Sequence, residues 1–276
     1  MEQVTTIGLD IAKLIFQAHG VSAGGAVLIR RRVRRSDLIR FFSSLPRCLI
    51  GIEACPGAHH WARVLGGLGH DVRLMPAAYV KPYVKRQKND MTDAEAICEA
   101  VTRPTMRFVP VKSTAQQSVL NLHRSRDLLI RQRTCLINAL RGHLAEFGIV
   151  VAQGAAGRTL LMSLVEDEEF DVIPPEARIA LTALVEQIRS LEAAAGDLET
   201  VIKAWHRANE RSRRLASIPG IGPLTASALA ATIDDASLFR SGRHLAAWLV
   251  FTATSWLALP PTLTDRNSQY QTRENS

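Results

Sequence analysis

Two short apolar runs near the start of the chain each carry one carboxylate: Asp10 in VTTIGLDIAKLIFQA (residues 4–18) and Glu53 in RCLIGIEA (47–54). Runs of this length, rich in Ile, Val and Leu, read as buried strands, with Asp10 near the middle of the first and Glu53 at the exit of the other. A lone acid in a core strand is expensive to bury, so two of them narrow the folds this chain can adopt. The intervening segments supply the rest of a layer. VLIRRRVRR (27–35) alternates apolar and basic residues as a strand, and SDLIRFFSSL (36–45) opens on a serine cap as a helix. PGAHHWARVLGGLG (56–69) is a helix closed by glycine, and HDVRLMP (70–76) is a further strand. Strands interleaved with short helices predict an α/β layer built on a mixed sheet.

Further acids follow in KNDMTDAEAI (88–97), where Asp90 and Asp93 stand three apart and would share a helix face. Each alone is explained as a cap or as an early acid favoured by the helix dipole. The set of four has no comparably simple explanation. Neighbouring strands lie about 4.8 Å apart, so acids at adjacent strand ends converge, and four close carboxylates raise one another's pKa values. A divalent cation removes that conflict. Oxygen-only ligands suit Mg²⁺ or Mn²⁺, and two such ions about 3.5–4 Å apart serve phosphoryl transfer.

The formal charge of +8, from 34 Lys and Arg against 26 Asp and Glu, favours polyanionic partners, nucleic acid first. Arg30, Arg31, Arg32, Arg34 and Arg35 form one basic run; Lys81, Lys85, Arg86 and Lys88 form another beside the acids. Both are candidate phosphate contacts. No segment holds 18 consecutive apolar residues and the N-terminus lacks a signal pattern, so a cytoplasmic protein without membrane association is expected. Cys48, Cys55, Cys98 and Cys135 show no C-x-x-C spacing and read as reduced thiols. His59 and His60 are adjacent on a helix and diverge by about 100°, which makes them structural rather than joint metal ligands.

From Ser113 the period changes. Leu122, Leu129 and Leu136 recur every seven residues, followed by Leu140, Leu144 and Phe147. A stretch rich in glycine and acids (153–175) reads as a loop, and Leu181, Leu184, Ile188, Leu191, Ala195, Leu198 and Ile202 form a second stripe. Such seams predict two long helices that pair as a coiled-coil hairpin or join two copies of the chain. LASIPGIGPLTASALAATI (215–233) then places Gly220 and Gly222 in a turn between helical stretches. Glycines there let a phosphate approach backbone amides, as in a helix-hairpin-helix that binds the DNA backbone without sequence preference.

The order GLDIAK, IEACPGAHHWARVL, GHDVRLMPAAYVKPYVKRQKND, DAEAICEAVTRPTMRFVPVKS, then IPGIG and HLAAWL, resembles the DEDD transposases of the insertion-sequence one-ten family, relatives of the Piv DNA invertase. The resemblance runs from about residue 4 to 249. It implies an RNase H-like, RuvC-like catalytic domain over 1–112 with Asp10, Glu53, Asp90 and Asp93 as metal ligands. It further implies a coiled-coil region over 113–210 and a helix-hairpin-helix part of the transposase domain over 211–249. DNA and a structured guide RNA are the implied partners. After AAWL, family members carry a serine nucleophile ahead of a Gly-Gly-Lys element; here residues 250–276 read as a divergent polar tail, with Ser255 given no catalytic role. The expectation is a transposase impaired at its C-terminal end; a RuvC-type junction nuclease and a non-catalytic nucleic-acid binder are the alternatives.

Overall fold

The apolar run 4–18 breaks at residues 11–14, and the break turns one expected strand into a hairpin. In the computed structural model, which describes residues 2–84, 90–233, 235, 237 and 239–247, β1 (Val4–Asp10) and β2 (Ile15–Ser22) pair antiparallel. Asp10 therefore ends a strand rather than interrupting one, which removes most of the cost of burying it. β3 (Val27–Arg34) continues the meander antiparallel to β2. After a 3-10 turn, α1 (Leu38–Ser43) leads to β4 (Leu49–Glu53), which lies parallel to β1. Then α2 (Ala58–Gly67) crosses over to β5 (Asp71–Met75), parallel to β4. The sheet order is β3-β2-β1-β4-β5. Its mixed character follows from the connections: short turns join the antiparallel strands, and helices join the parallel ones.

Alternation along the strands separates two faces. Ile7, Leu9, Phe16, Ala18, Val33, Ile50 and Ile52 point to one side, where Leu38 and Phe42 of α1 and Trp61 and Leu65 of α2 complete a buried core. Full burial of such side chains stabilises by about 1.5–3 kcal/mol each. Phe16 meets Trp61 edge to face at 5.3 Å. His59 accepts a hydrogen bond from the Lys112 backbone N–H at 3.1 Å. The opposite face carries α3 (Ala77–Val80) and α4 (Asp90–Val101), whose Ala96, Ile97, Ala100 and Val101 pack with Met75 and Val80.

The chain divides between Gln116 and Gln117 into two compact units. In the second, α5 (Thr114–Ala145) and α7 (Pro175–Ala208) run antiparallel, with Arg126 opposite Glu199 at 2.7 Å and Arg133 opposite Glu192 at 3.7 Å. At the far end Leu140 and Leu144 share a buried cluster with Leu181, Val185 and Ile188. The residues of α5 that meet α7 thus include Arg126, Arg133 and Leu140, whereas Leu122 and Leu129 are only half-buried. Of the expected stripe, Leu140 and Leu144 are buried in this cluster and Leu136 packs against it. Two seam positions hold arginines whose charge is met by glutamates on the partner helix, which no apolar pattern reveals.

The stretch expected as a loop contains α6 (Ala155–Glu166), with Leu161, Met162 and Val165 buried against α7. Gly157 is there for close approach: a Cβ on it would sit 1.8 Å from the Ala152 carbonyl oxygen, whereas Gly154 takes φ +105°. The unit continues with α8 (Glu210–Ala216), capped by the Asn209 side chain, and α9 (Pro223–Thr232). Among the described residues, no helix is long and apolar enough to cross a membrane.

Candidate active site

Asp10 and Glu53 are the last residues of β1 and β4. Leu9 stands opposite Ile52 in the parallel ladder, so the two acids occupy the next level, side by side at about one strand spacing. Both are half-buried. Their joint field reaches Cys55, just beyond β4: burial first, then Glu53, then Asp10 push its thiol up to about 11.

Helix α4 is held against this sheet face by two glycines. A Cβ at Gly8 would lie 2.1 Å from the Ala94 carbonyl oxygen and 2.4 Å from the Cys98 backbone nitrogen, so only hydrogen fits there. At Gly51 the Val101 side chain fills the same kind of space at 2.8 Å. The Cys98 thiol donates to the Thr6 carbonyl at 3.7 Å, and burial raises its pKa to about 11. Gly8 precedes Asp10 by two residues and faces the same way; Ala94 follows Asp93 directly. This close approach of helix to strand therefore lies within two residues of an acid on each side. Asp90 is the first residue of α4, one turn before Ala94, and its side chain lies outside the described residues.

Asp10, Glu53 and Asp93 are hard oxygen donors, the type Mg²⁺ and Mn²⁺ accept. Among the described residues, no group of three or more His, Cys, Asp or Glu side chains is placed to hold a metal ion. Asp10, Glu53 and Asp93 therefore do not by themselves form such a group.

The basic runs divide. Arg30 pairs with Glu95 of α4 at 3.9 Å, and the Arg35 guanidinium lies over the rings of Trp61 and Phe16 at 5.2 and 5.7 Å. Arg31, Arg32 and Arg34 line a pocket at the sheet edge together with Arg40 of α1. Sequence reasoning missed Arg40, because a single arginine inside a helix gives no signal. Lys81 is exposed, and Lys85, Arg86 and Lys88 lie outside the described residues. In the second unit Gly220 takes φ +87°, the left-handed conformation glycine favours, and Gly222 precedes α9 with open space at its α-carbon.

A mixed sheet in this order, with acids at adjacent parallel strand ends and an acid-bearing helix laid across them, is consistent with an RNase H-like α/β domain. Residues 7–149 match the family model of IS110 DEDD transposases, and residues 212–253 match that of the IS116/IS110/IS902 transposase family. The chain is 47% identical over 247 residues to a probable family 20 transposase of Pseudomonas aeruginosa, covering 89% of this chain and 73% of that protein. It is 46% identical over 253 residues to the putative transposase y4pF/y4sB of Sinorhizobium fredii, covering 91% and 65%. It is 39% identical over 249 residues to the transposase for insertion sequence element IS1111A of Coxiella burnetii, covering 90% and 68%. The protein belongs to the IS110 family of transposases, enzymes that recombine DNA in moving an insertion sequence.

Proposed function

We propose that this chain cleaves and transfers DNA strands with Mg²⁺ or Mn²⁺ held by Asp10, Glu53, Asp90 and Asp93. The observation that carries the reading is the level pairing of Asp10 and Glu53 at two parallel strand ends, beneath a helix that Gly8 allows to lie against the sheet. When bound, the metal supplies charge neutralisation at the phosphorus and an activated oxygen nucleophile. The protein's own part is placement. Asp10 and Glu53 are fixed by the strand ladder, so their oxygens keep one spacing; Asp93 and Asp90 come from one helix face, a turn apart. Family membership supports DNA as the substrate, and a structured guide RNA and self-association through α5 and α7 belong to the same reading. The turn between α8 and α9, with Gly220 and Gly222, serves as a DNA-backbone contact.

The test is a thermal melt. An ion bound only by the folded chain raises its melting temperature by mass action. Millimolar Mn²⁺ is expected to raise the melting temperature of the wild type and to leave Asp10→Asn unchanged. A wild type that ignores Mn²⁺ and Mg²⁺ removes the metal site, and with it the proposed chemistry.

A further inference from the structure

β3 is an outer strand of the sheet, and alternation sends its side chains to opposite faces. Val33 enters the core, Arg31 lies over the Phe41 ring of α1 at 5.5 Å, and Arg35 lies over the Trp61 ring of α2 at 5.2 Å. Arg31, Val33 and Arg35 thus share the side of α1 and α2. Arg30 meets Glu95 of α4 at 3.9 Å, which puts Arg30, Arg32 and Arg34 on the side of α4. Gly8, held against α4, and Asp10 lie on that side too. One half of the basic run therefore shares a face with the acids, and the other half is turned away from them.

Strand register sets the spacing. Asp10 pairs with Gln17 across β1 and β2, and Gln17 pairs with Arg32 across β2 and β3. Paired residues point to one face, so Arg32, Gln17, Asp10 and Glu53 form a transverse row, with about 10 Å between Arg32 and Asp10. Arg34 stands two residues further along β3, past the level of the acids, and pairs with Ile15. The face is open there: Ile15 is 40% exposed, and Arg32 and Arg34 are exposed and hold no ion pair among the described residues. Gln17, between arginine and acid, is only 5% exposed, and its carboxamide oxygen has no hydrogen-bond partner among the described residues. An unmet buried acceptor is costly, and Arg32, its direct cross-strand neighbour, carries only donors.

We infer that Arg32 and Arg34 hold a backbone phosphate of the nucleic-acid strand whose reacting bond lies at the acids, with Gln17 bracing Arg32 from below. The inference rests on the strand-cleavage reading above and adds the path of the strand, which crosses β3, β2 and β1 on the α4 side. At a rise of about 3.4 Å per nucleotide, 10 Å corresponds to roughly three nucleotides between the held phosphate and the reacting one. A guanidinium suits the task because its planar fork meets two phosphate oxygens and leaves further N–H groups for Gln17. The competing role for such charges is to keep the sheet edge from pairing with another chain, and that role does not distinguish the two faces of β3.

The test uses the full chain and follows the anisotropy of labelled duplex DNA and of a labelled structured RNA across a salt series. Arg32→Gln with Arg34→Gln is expected to weaken binding about tenfold or more and to flatten the salt slope on duplex DNA by about 0.9 per lost contact. Arg31→Gln with Arg40→Gln removes the same charge from the opposite face; only screened long-range attraction is lost, so the expected loss is less than about threefold. Equal losses from the two pairs, or none from either, overturn the site. Aggregation with normal binding in the Arg32 and Arg34 variant assigns those arginines to edge protection alone. Loss on one nucleic acid only identifies which strand supplies the phosphate. Should that variant fail to fold, Arg32→Lys keeps the charge but not the fork and is expected to weaken binding with the salt slope intact; unchanged binding overturns the site. Gln17→Met removes the unmet oxygen, so it is expected to melt no lower than wild type yet to bind more weakly; unchanged binding excludes Gln17. The Mn²⁺ melt reports the acids separately, and the Arg32 and Arg34 variant is expected to keep the wild-type rise. A wild type without that rise removes the acid chemistry, and a loss confined to the α4 face then leaves the arginines as a binding site only.

Discussion

Gly8→Ala adds one methyl group at the tightest helix-to-strand contact near the acids. Its Cβ would meet the Ala94 carbonyl oxygen at 2.1 Å, the Cys98 nitrogen at 2.4 Å and the Cys98 Cβ at 2.8 Å. Two of these three are backbone atoms, so no rotamer change relieves the clash. Ordinary contact begins near 3.4 Å, and α4 must therefore retreat by about 1.3 Å. Overpacking of this kind costs about 1–3 kcal/mol, which lowers a melting temperature by several degrees. The larger effect falls on geometry. Asp93 adjoins Ala94 and moves with it, while metal–ligand distances tolerate only about 0.2 Å and a 1 Å misplacement costs about a hundredfold in rate. Gly8→Ala is expected to fold, to melt several degrees below wild type and to lose the Mn²⁺-induced rise. Gly51→Ala is the matched control. Its new methyl meets the Val101 Cβ at 2.8 Å and the flexible end of Met75 at 3.1 Å, about two helical turns along α4 from Asp93, so a milder loss with the Mn²⁺ response retained is expected. Melting curves with and without Mn²⁺ decide the matter. If Gly8→Ala matches Gly51→Ala in both stability and metal response, the close approach of α4 does not position the acids.

His123 accepts from or donates to the Ser227 hydroxyl at 3.0 Å, and burial first, then the Arg126 charge, lower its pKa. With a folded pKa below the unfolded value of about 6.5, the unfolded chain binds the extra proton first, so this contribution to stability is lost as pH falls below about 6.5. Melting temperature against pH should show that decline, and His123→Gln should flatten it; an unaltered pH profile in the variant excludes the histidine. The thiols give a third check. Cys48, Cys55 and Cys98 are each held near 11, chiefly by burial, whereas Cys135 is exposed. Alkylation of the native protein at pH 8, followed by peptide mass analysis, should label Cys135 first, and equal labelling of Cys98 would mean that α4 is not packed as described.

The sheet was readable because most of its strands are short apolar runs bounded by polar or glycine-containing segments, and β3 mixes apolar with basic residues. What escaped was the break inside residues 4–18. IAKL (11–14) is as apolar as its neighbours, and only the hairpin's pairing shows that the chain turns there. α6 escaped for a related reason: Gly154 and Gly157 weaken the helical signal, yet Gly157 is required by contact with Ala152, which is fixed by tertiary packing. At the site, the acids stood out because isolated carboxylates in apolar runs are rare. Gln17 and Arg40 did not, since a buried glutamine becomes notable only when its cross-strand neighbours are known. The separation of Arg30 and Arg35 from Arg31, Arg32 and Arg34 likewise depends on partners that lie far away in sequence.

The charged layers between α5 and α7 act as a vernier. Arg126 with Glu199 and Arg133 with Glu192 advance seven residues along one helix while retreating seven along the other. Inserting or deleting one residue between the layers in either helix turns everything beyond it by about 100° and strands an arginine against apolar neighbours. Length variation in this hairpin is therefore quantised. It can enter as whole heptads matched in both helices, or at the end where α6 is spliced in, and nowhere between.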